Sequence, residues 1–193
     1  MSPLAVDCVI KVGGGILART DTFDAVIAEI SLASSEAALL IVPGGGPFAD
    51  TVRDLDRRLG LSDDAAHWMA ILAMDQYAHL IASRLPKGEV VCGPDEIESA
   101  LTQRRTPVLA PYQWMRDVDP LPHAWDVTSD SISAWVAGQV GAARLVLVKP
   151  PVASGPDIVD PKFRSLLSPR IEAVILTADR IDALRRAIAA PAT

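Results

Sequence analysis

Two short apolar runs, Val6 to Val12 and Ala37 to Val42, each lead into a cluster of three glycines, Gly13 to Gly15 and Gly44 to Gly46. This repeated pattern constrains the fold more than any other stretch. Such short runs read as buried strands, and the glycines after them leave backbone N–H groups uncovered. Lys11 stands at the tip of the first run, beside those amides, and bare amides with a fixed cation make a place to hold phosphates. Between the runs Phe23, Val26, Ile27 and Ile30 recur at helical spacing, with Asp21 or Thr22 as the cap. The opening is therefore β-α-β. Its right-handed crossover brings both glycine turns to one edge of a parallel sheet.

The remaining chain keeps the alternation. Pro47 starts a helix at the second glycine turn, so that helix points its positive end at whatever lies over Gly44 to Gly46. Arg53 either reaches the same place or stays solvated beside Asp50 and Asp54. Ser62 or Asp63 caps a long helix running to about Leu85. Asp64, His67 and Trp68 fall near its start, where they lean into the crevice or, for Trp68, pack in the core. Strands follow at Glu89 to Cys92, Pro107 to Ala110, Arg144 to Lys149 and Ala173 to Leu176. Helices follow at Pro94 to Arg105, from Thr128 onward, and at about Arg180 to Ala190. Pro111 to Pro122 reads as an irregular segment, a lid or a folded connection, and Val152 to Ser168 as mostly loop. No repeat or linker divides residues 1–193, so the expectation is one α/β domain, a three-layer αβα sandwich with a mainly parallel central sheet.

Composition excludes several functions. The net charge of -6 offers no basic stripe for nucleic acid. The longest apolar stretch, Trp68 to Leu80, is broken by Asp75, Gln76 and His79 and spans no membrane. With only Cys8 and Cys92, and no signal-like start, the expectation is a cytoplasmic protein with reduced thiols. No His/Cys cluster offers a transition-metal site.

Lys11, the glycine turns and Asp130 together make a coherent phosphoryl-transfer site, because that chemistry needs positioning and positive charge more than covalent help. Asp130 reads as an organiser of Lys11, and of Lys149 at the end of a second apolar run, rather than as a base. The chain contains neither a Walker loop nor G-x-G-x-x-G spacing.

Lys11-Val12-Gly13-Gly14, Gly44-Gly45-Gly46 and Thr128-Ser129-Asp130, in that order and spacing, resemble the amino acid kinase superfamily. The segments Asp64-Ala65-Ala66-His67-Trp68-Met69 and Trp125-Asp126-Val127-Thr128-Ser129-Asp130-Ser131 are most similar to its (aminomethyl)furanylmethyl phosphate kinases of methanofuran-type coenzyme biosynthesis. The resemblance implies transfer from ATP to a phosphate monoester, giving a diphosphate, with Mg2+ carried by ATP and with self-association as a homo-oligomer. It assigns Lys11 and Asp130 to catalysis, and Gly13, Gly14, Gly15, Thr128, Ser129, Lys149 and Asp160 to the nucleotide and its transferred phosphoryl. Gly44, Gly45 and Gly46 go to the acceptor, with Arg53, Asp64 and His67 as candidates for touching it. A nucleoside monophosphate, as in the related uridylate kinases, is a neighbouring acceptor.

Two positions depart from the family pattern. Gly15 stands where many relatives have serine, and Lys149-Pro150-Pro151-Val152-Ala153-Ser154-Gly155 replaces the usual T-D-V-D-G. That second departure keeps an alternative in view, a non-catalytic protein on the same fold that regulates a partner or stores an oxyanion. The pairing of Lys11 with Asp130 opposes it, because an anion nest does not need a lysine held by an aspartate.

Overall fold

The computed structural model describes residues 6–151 and 158–189. Strands β1 (Cys8–Val12), β2 (Leu39–Pro43), β3 (Gly88–Val91), β4 (Thr106–Leu109), β5 (Arg144–Lys149) and β6 (Glu172–Thr177) form one sheet in the order β3-β4-β2-β1-β5-β6. Every neighbouring pair is parallel. The helices are α1 (Thr20–Ala33), α2 (Gly46–Leu59), α3 (Asp63–Arg84), α4 (Pro94–Thr102), α5 (Tyr112–Val118), α6 (Ser129–Val140), α7 (Phe163–Leu166) and α8 (Leu184–Ala189). Helical 3-10 segments occupy Gly14–Ala18 and Ala178–Ala183.

Strand alternation sends successive side chains to opposite faces of the sheet. Val9, Leu145 and Leu147 join Ile132 and Val136 of α6 in one apolar cluster, while Ile10, Val146 and Val148 join Val26 and Ile30 of α1 and Leu184 of α8 in the other. Helices thus cover both faces, as an all-parallel sheet requires. Lys11 and Lys149 continue the first series, so period two alone turns both lysines toward α6.

The chain fills the β2 side of β1 with β2, β3 and β4 and then crosses to β5 on the other side. That reversal opens a crevice at the C-terminal tip of β1. Val12 is in register with Pro43 and with Val148, which sets both glycine turns level with the end of β5. Gly13 and Gly44 extend the ladder, their N–H groups donating to Val148 O and Val12 O at 2.8 Å each. The turns then interlock. A Cβ on Gly14 would lie 2.2 Å from Gly46 N, and one on Gly44 would lie 2.6 Å from Gly14 N. Gly46 also holds φ of +56°, a left-handed conformation that side chains disfavour.

Three segments differ from the sequence expectation. Pro111 to Pro122 contains a real helix, α5, because Asp75 on α3 accepts from the Tyr112 amide at 3.1 Å and Met115 is buried beneath it. A long-range carboxylate supplies the acceptor that no local residue offers. Within the stretch read as loop, α7 forms because Asp160 accepts from the amides of Lys162 and Phe163. The last helix is split into a 3-10 segment and α8, with non-helical backbone at Arg180. Among the described residues no helix is long and apolar enough to cross a membrane.

Gly14→Ala should be among the most damaging small substitutions in the chain. Its methyl meets backbone rather than a movable side chain, so we expect a loss of at least about 2 kcal/mol in urea unfolding, typical of forced overpacking. An unchanged unfolding midpoint would mean that the turns do not interlock as described.

Candidate active site

Asp130 lies in the first turn of α6, buried to 3% exposure, and both its oxygens face lysines. Lys149 donates from Nζ to Oδ2 at 2.5 Å, and Lys11 Nζ stands 2.9 Å from Oδ1. The Lys11 contact is an ion pair without hydrogen-bond alignment, which leaves that oxygen without an aligned donor. Burial pushes the Asp130 carboxyl up, but the two ammonium groups outweigh it and hold the carboxyl below its usual range. Burial and the repulsion of Lys11 draw Lys149 downward against the pull of Asp130. Two buried cations share one buried anion, and the half-buried Asp160 at the edge of the same cleft also favours the charged form of Lys149.

Four backbone N–H groups lie in the glycine turns that follow the tips of β1 and β2. The amides of Gly14, Gly15, Gly45 and Gly46 have no acceptor among the described residues, whereas those of Gly13 and Gly44 are taken up by the sheet. The nest is therefore one residue further along each turn than the sequence alone suggests. A Cβ on Gly15 would stand 2.8 Å from Pro150 Cγ, so the missing serine and the first unusual proline meet in space. Val152, Ala153, Ser154 and Gly155 of the departing loop lie outside the described residues.

Thr128 caps α6, with its hydroxyl oxygen 3.5 Å from the Asp130 amide. Asp160, expected at the nucleotide, is also a hub of local hydrogen bonds. Its two oxygens accept from the Thr128 amide and hydroxyl, the Ser131 amide and hydroxyl, and the Lys162 and Phe163 amides. With both oxygens engaged, Asp160 is a tie between the start of α6 and α7, and it fixes Asp130 in place. It still borders a cleft shared with Lys149, Thr128, Ile158 and Arg164.

A second cleft opens on the other side of Thr128, between α2, α3 and the chain before α6. Gly45, Arg53, Asp63, His67, Trp125 and Ser129 are among its lining residues. Arg53 pairs with Asp50 at 2.7 Å and lies over the Trp125 ring at 5.2 Å, so it enters the cleft while keeping the surface partner that its spacing suggests. Asp64 does not line this cleft. Its Oδ1 accepts from Trp68 Nε1 at 3.1 Å and faces His123 Nδ1 at 3.0 Å, and its neighbour Asp63 takes the position at the wall.

His67 is buried under His123, the rings stacked 4.0 Å apart, with Nε2 unpartnered. Burial first, then the neighbouring His123, pushes its pKa down to about 4. It is thus a neutral ring at physiological pH.

Trp125, Asp56 and His123 are functional candidates that sequence reading missed. Trp125 donates from Nε1 to Asp56 Oδ2 at 2.8 Å across 69 residues, and its ring borders both clefts. His123 bridges Asp64 and Asp119. These two residues strap the segment before α6 onto α2 and α3. No local pattern announces contacts between residues so far apart, although the density of aromatic and acidic side chains was a visible signal.

Two outcomes follow. Asp160→Asn should cost about 2–4 kcal/mol of stability, because an amide cannot accept from every donor there, while leaving ATP affinity within about threefold by calorimetry. The second concerns pH. The folded His67 ring resists protonation down to about 4 while the unfolded one titrates near its ordinary value, so unfolded chains bind more protons in between. Stability from this site is complete above that ordinary value and falls as pH drops toward 4. Between pH 7 and pH 5 the wild type should lose on the order of 1–2 kcal/mol more than His67→Gln in urea titrations. Asp75, raised to about 6 chiefly by burial, opposes this slope but is common to both proteins.

Comparison with known proteins identifies the family and the fold. Residues 8–150 match the model of the amino acid kinase family. The [5-(aminomethyl)furan-3-yl]methyl phosphate kinase of Methanocaldococcus jannaschii is 26% identical over 144 residues, which cover 72% of this chain but only 63% of that relative. Among solved structures, uridylate kinase from Archaeoglobus fulgidus superposes with a TM-score of 0.66 at 17% identity, covering 94% of this chain and 96% of that one. UMP kinase from Ureaplasma parvum gives 0.69 at 16% identity, covering 93% and 95%. With the matched model running from β1 to the end of β5, through both glycine turns, Asp130 and both lysines, the chain belongs to the amino acid kinase family.

Proposed function

We propose that this protein is a small-molecule kinase that moves the γ-phosphoryl group of ATP onto a phosphate monoester, with an aminomethylfuranylmethyl phosphate as acceptor and its diphosphate as product. The observation that carries this reading is the pair of buried lysines, Lys11 and Lys149, that share the single buried carboxylate of Asp130 at the tips of the neighbouring strands β1 and β5. A buried surplus cation is costly unless an anion completes it, and a phosphoryl group passing from one cleft to the other does so.

ATP occupies the cleft by Lys149, Ile158 and Arg164, with Thr128 and Ser129 at its phosphate end. The acceptor lies by Gly45, Arg53 and His67. An oxygen of the acceptor phosphate attacks the γ-phosphorus, a new P–O bond forms, and the bond to the bridging oxygen breaks with its electron pair leaving on ADP. The attacking oxygen is already an anion at neutral pH, so no proton must be removed and no general base is needed. That matches Asp130, whose carboxylate is engaged by two lysines. Mg2+ arriving with ATP neutralises the remaining triphosphate charge. Lys11 and the amides then follow the transferred group, stabilising it most where the bond is loosest. The resemblance to the furanylmethyl phosphate kinase supports the acceptor, and the same fold in UMP kinases makes a nucleoside monophosphate the obvious control. We further propose that residues 1–193 act as one kinase-like domain, in the cytoplasm and as a homo-oligomer.

Lys11→Met tests the role of the cluster. Acceptor-dependent ADP release should fall at least about a thousandfold in kcat, the effect of losing one preorganised charge, with the circular dichroism spectrum unchanged. Retention of most activity would make Lys11 structural and remove the basis of the mechanism.

A further inference from the structure

We propose that Asp63 selects an acceptor carrying a protonated amine at the end opposite its phosphate. This inference rests on the kinase reading and names the residue that would give that site its preference. Asp63 lines the acceptor cleft from the exposed first turn of α3, and among the described residues it forms no ion pair or hydrogen bond. Nearby charges are already matched. Asp64 holds Trp68 and His123, Arg53 pairs with Asp50, and Arg57 and Arg58 both pair with Asp54. Asp63 is therefore a free carboxylate at the wall of a cleft whose other end is built for an anion.

The two ends are kept apart by the helices. Only Gly60, Leu61 and Ser62 separate α2 from α3, so the pair is an antiparallel hairpin. Gly45 sits before the start of α2 and Asp63 beside its end, which puts them on the order of 15–20 Å apart at the helical rise per residue. No single small group touches both. Between them Ala66, Ala70, Ile71 and Ile132 offer only apolar surface, and Trp125, pinned by Asp56, offers a flat one. A phosphate at Gly45 near Arg53, a flat apolar body beside Trp125 and a cation at Asp63 match these three parts of the wall. An acid in the first turn of a helix also complements its dipole. Here Ser62 already caps α3 by accepting from the Ala65 amide at 3.2 Å.

The test compares aminomethylfuranylmethyl phosphate with the analogue that has methyl in place of aminomethyl, on the wild type, Asp63→Asn and Asp63→Glu. For the aminated acceptor Asp63→Asn should raise KM at least tenfold, with kcat and the KM for ATP nearly unchanged and with Asp63→Glu recovering much of the loss. For the methyl analogue all three proteins should agree within about threefold, the pattern of a lost charge-assisted contact. Equal losses for both acceptors, or no loss for either, would overturn the proposal and leave Asp63 a helix-end acid. If neither compound is phosphorylated, the kinase reading fails on its own terms. Calorimetry of the same two compounds still decides the role of Asp63, which survives only if the amine strengthens binding to the wild type and not to Asp63→Asn.

Discussion

One buried carboxylate holding two buried lysines is the interaction on which the rest of this structure depends. Removing Asp130 would leave two uncompensated cations inside the protein, at a cost of about 3–5 kcal/mol. The group is not neutral even when intact, because Lys11 and Lys149 bring two positive charges to Asp130. A fold that only needed stability would do better with apolar side chains at these positions. The surplus charge makes sense as one half of a site whose other half is a phosphate.

Every neighbouring feature holds that group at the crevice. Strand alternation turns both lysines to the same face, and the register of β1 with β2 and β5 sets the glycine turns level with them. Asp160 ties down the start of α6 and so fixes where Asp130 stands. Trp125 and His123 strap the preceding segment onto α2 and α3, closing the wall between the two clefts. Gly15 lies so close to Pro150 that a Cβ there would stand 2.8 Å from the proline Cγ.

What the sequence made legible was whatever has a local cause. Apolar runs stopped by glycine disclose β1 and β2, Ser62 and Thr128 disclose the starts of α3 and α6, and Lys11 with Asp130 follows from the chemistry of strand tips. Features decided at long range stayed hidden. α5 forms because a carboxylate on α3 meets its first amide, and the six donors that converge on Asp160 come from two separate stretches of chain. Asp63 and Asp64 are adjacent acids in one helical turn, and only the positions of Trp68 and His123 show which of the two is engaged elsewhere. The exchange of roles between these neighbours is a matter of about 100° of helix rotation, below what pattern reading resolves.

Phosphorus NMR of the protein mixed with MgATP and aminomethylfuranylmethyl phosphate is the most direct examination of the central claim. For a kinase of this kind the monoester singlet should disappear while ADP and a new pair of doublets from a diphosphate ester grow together in equal amounts. ADP accompanied only by orthophosphate, or a mixture in which ATP and the monoester both persist, would contradict it.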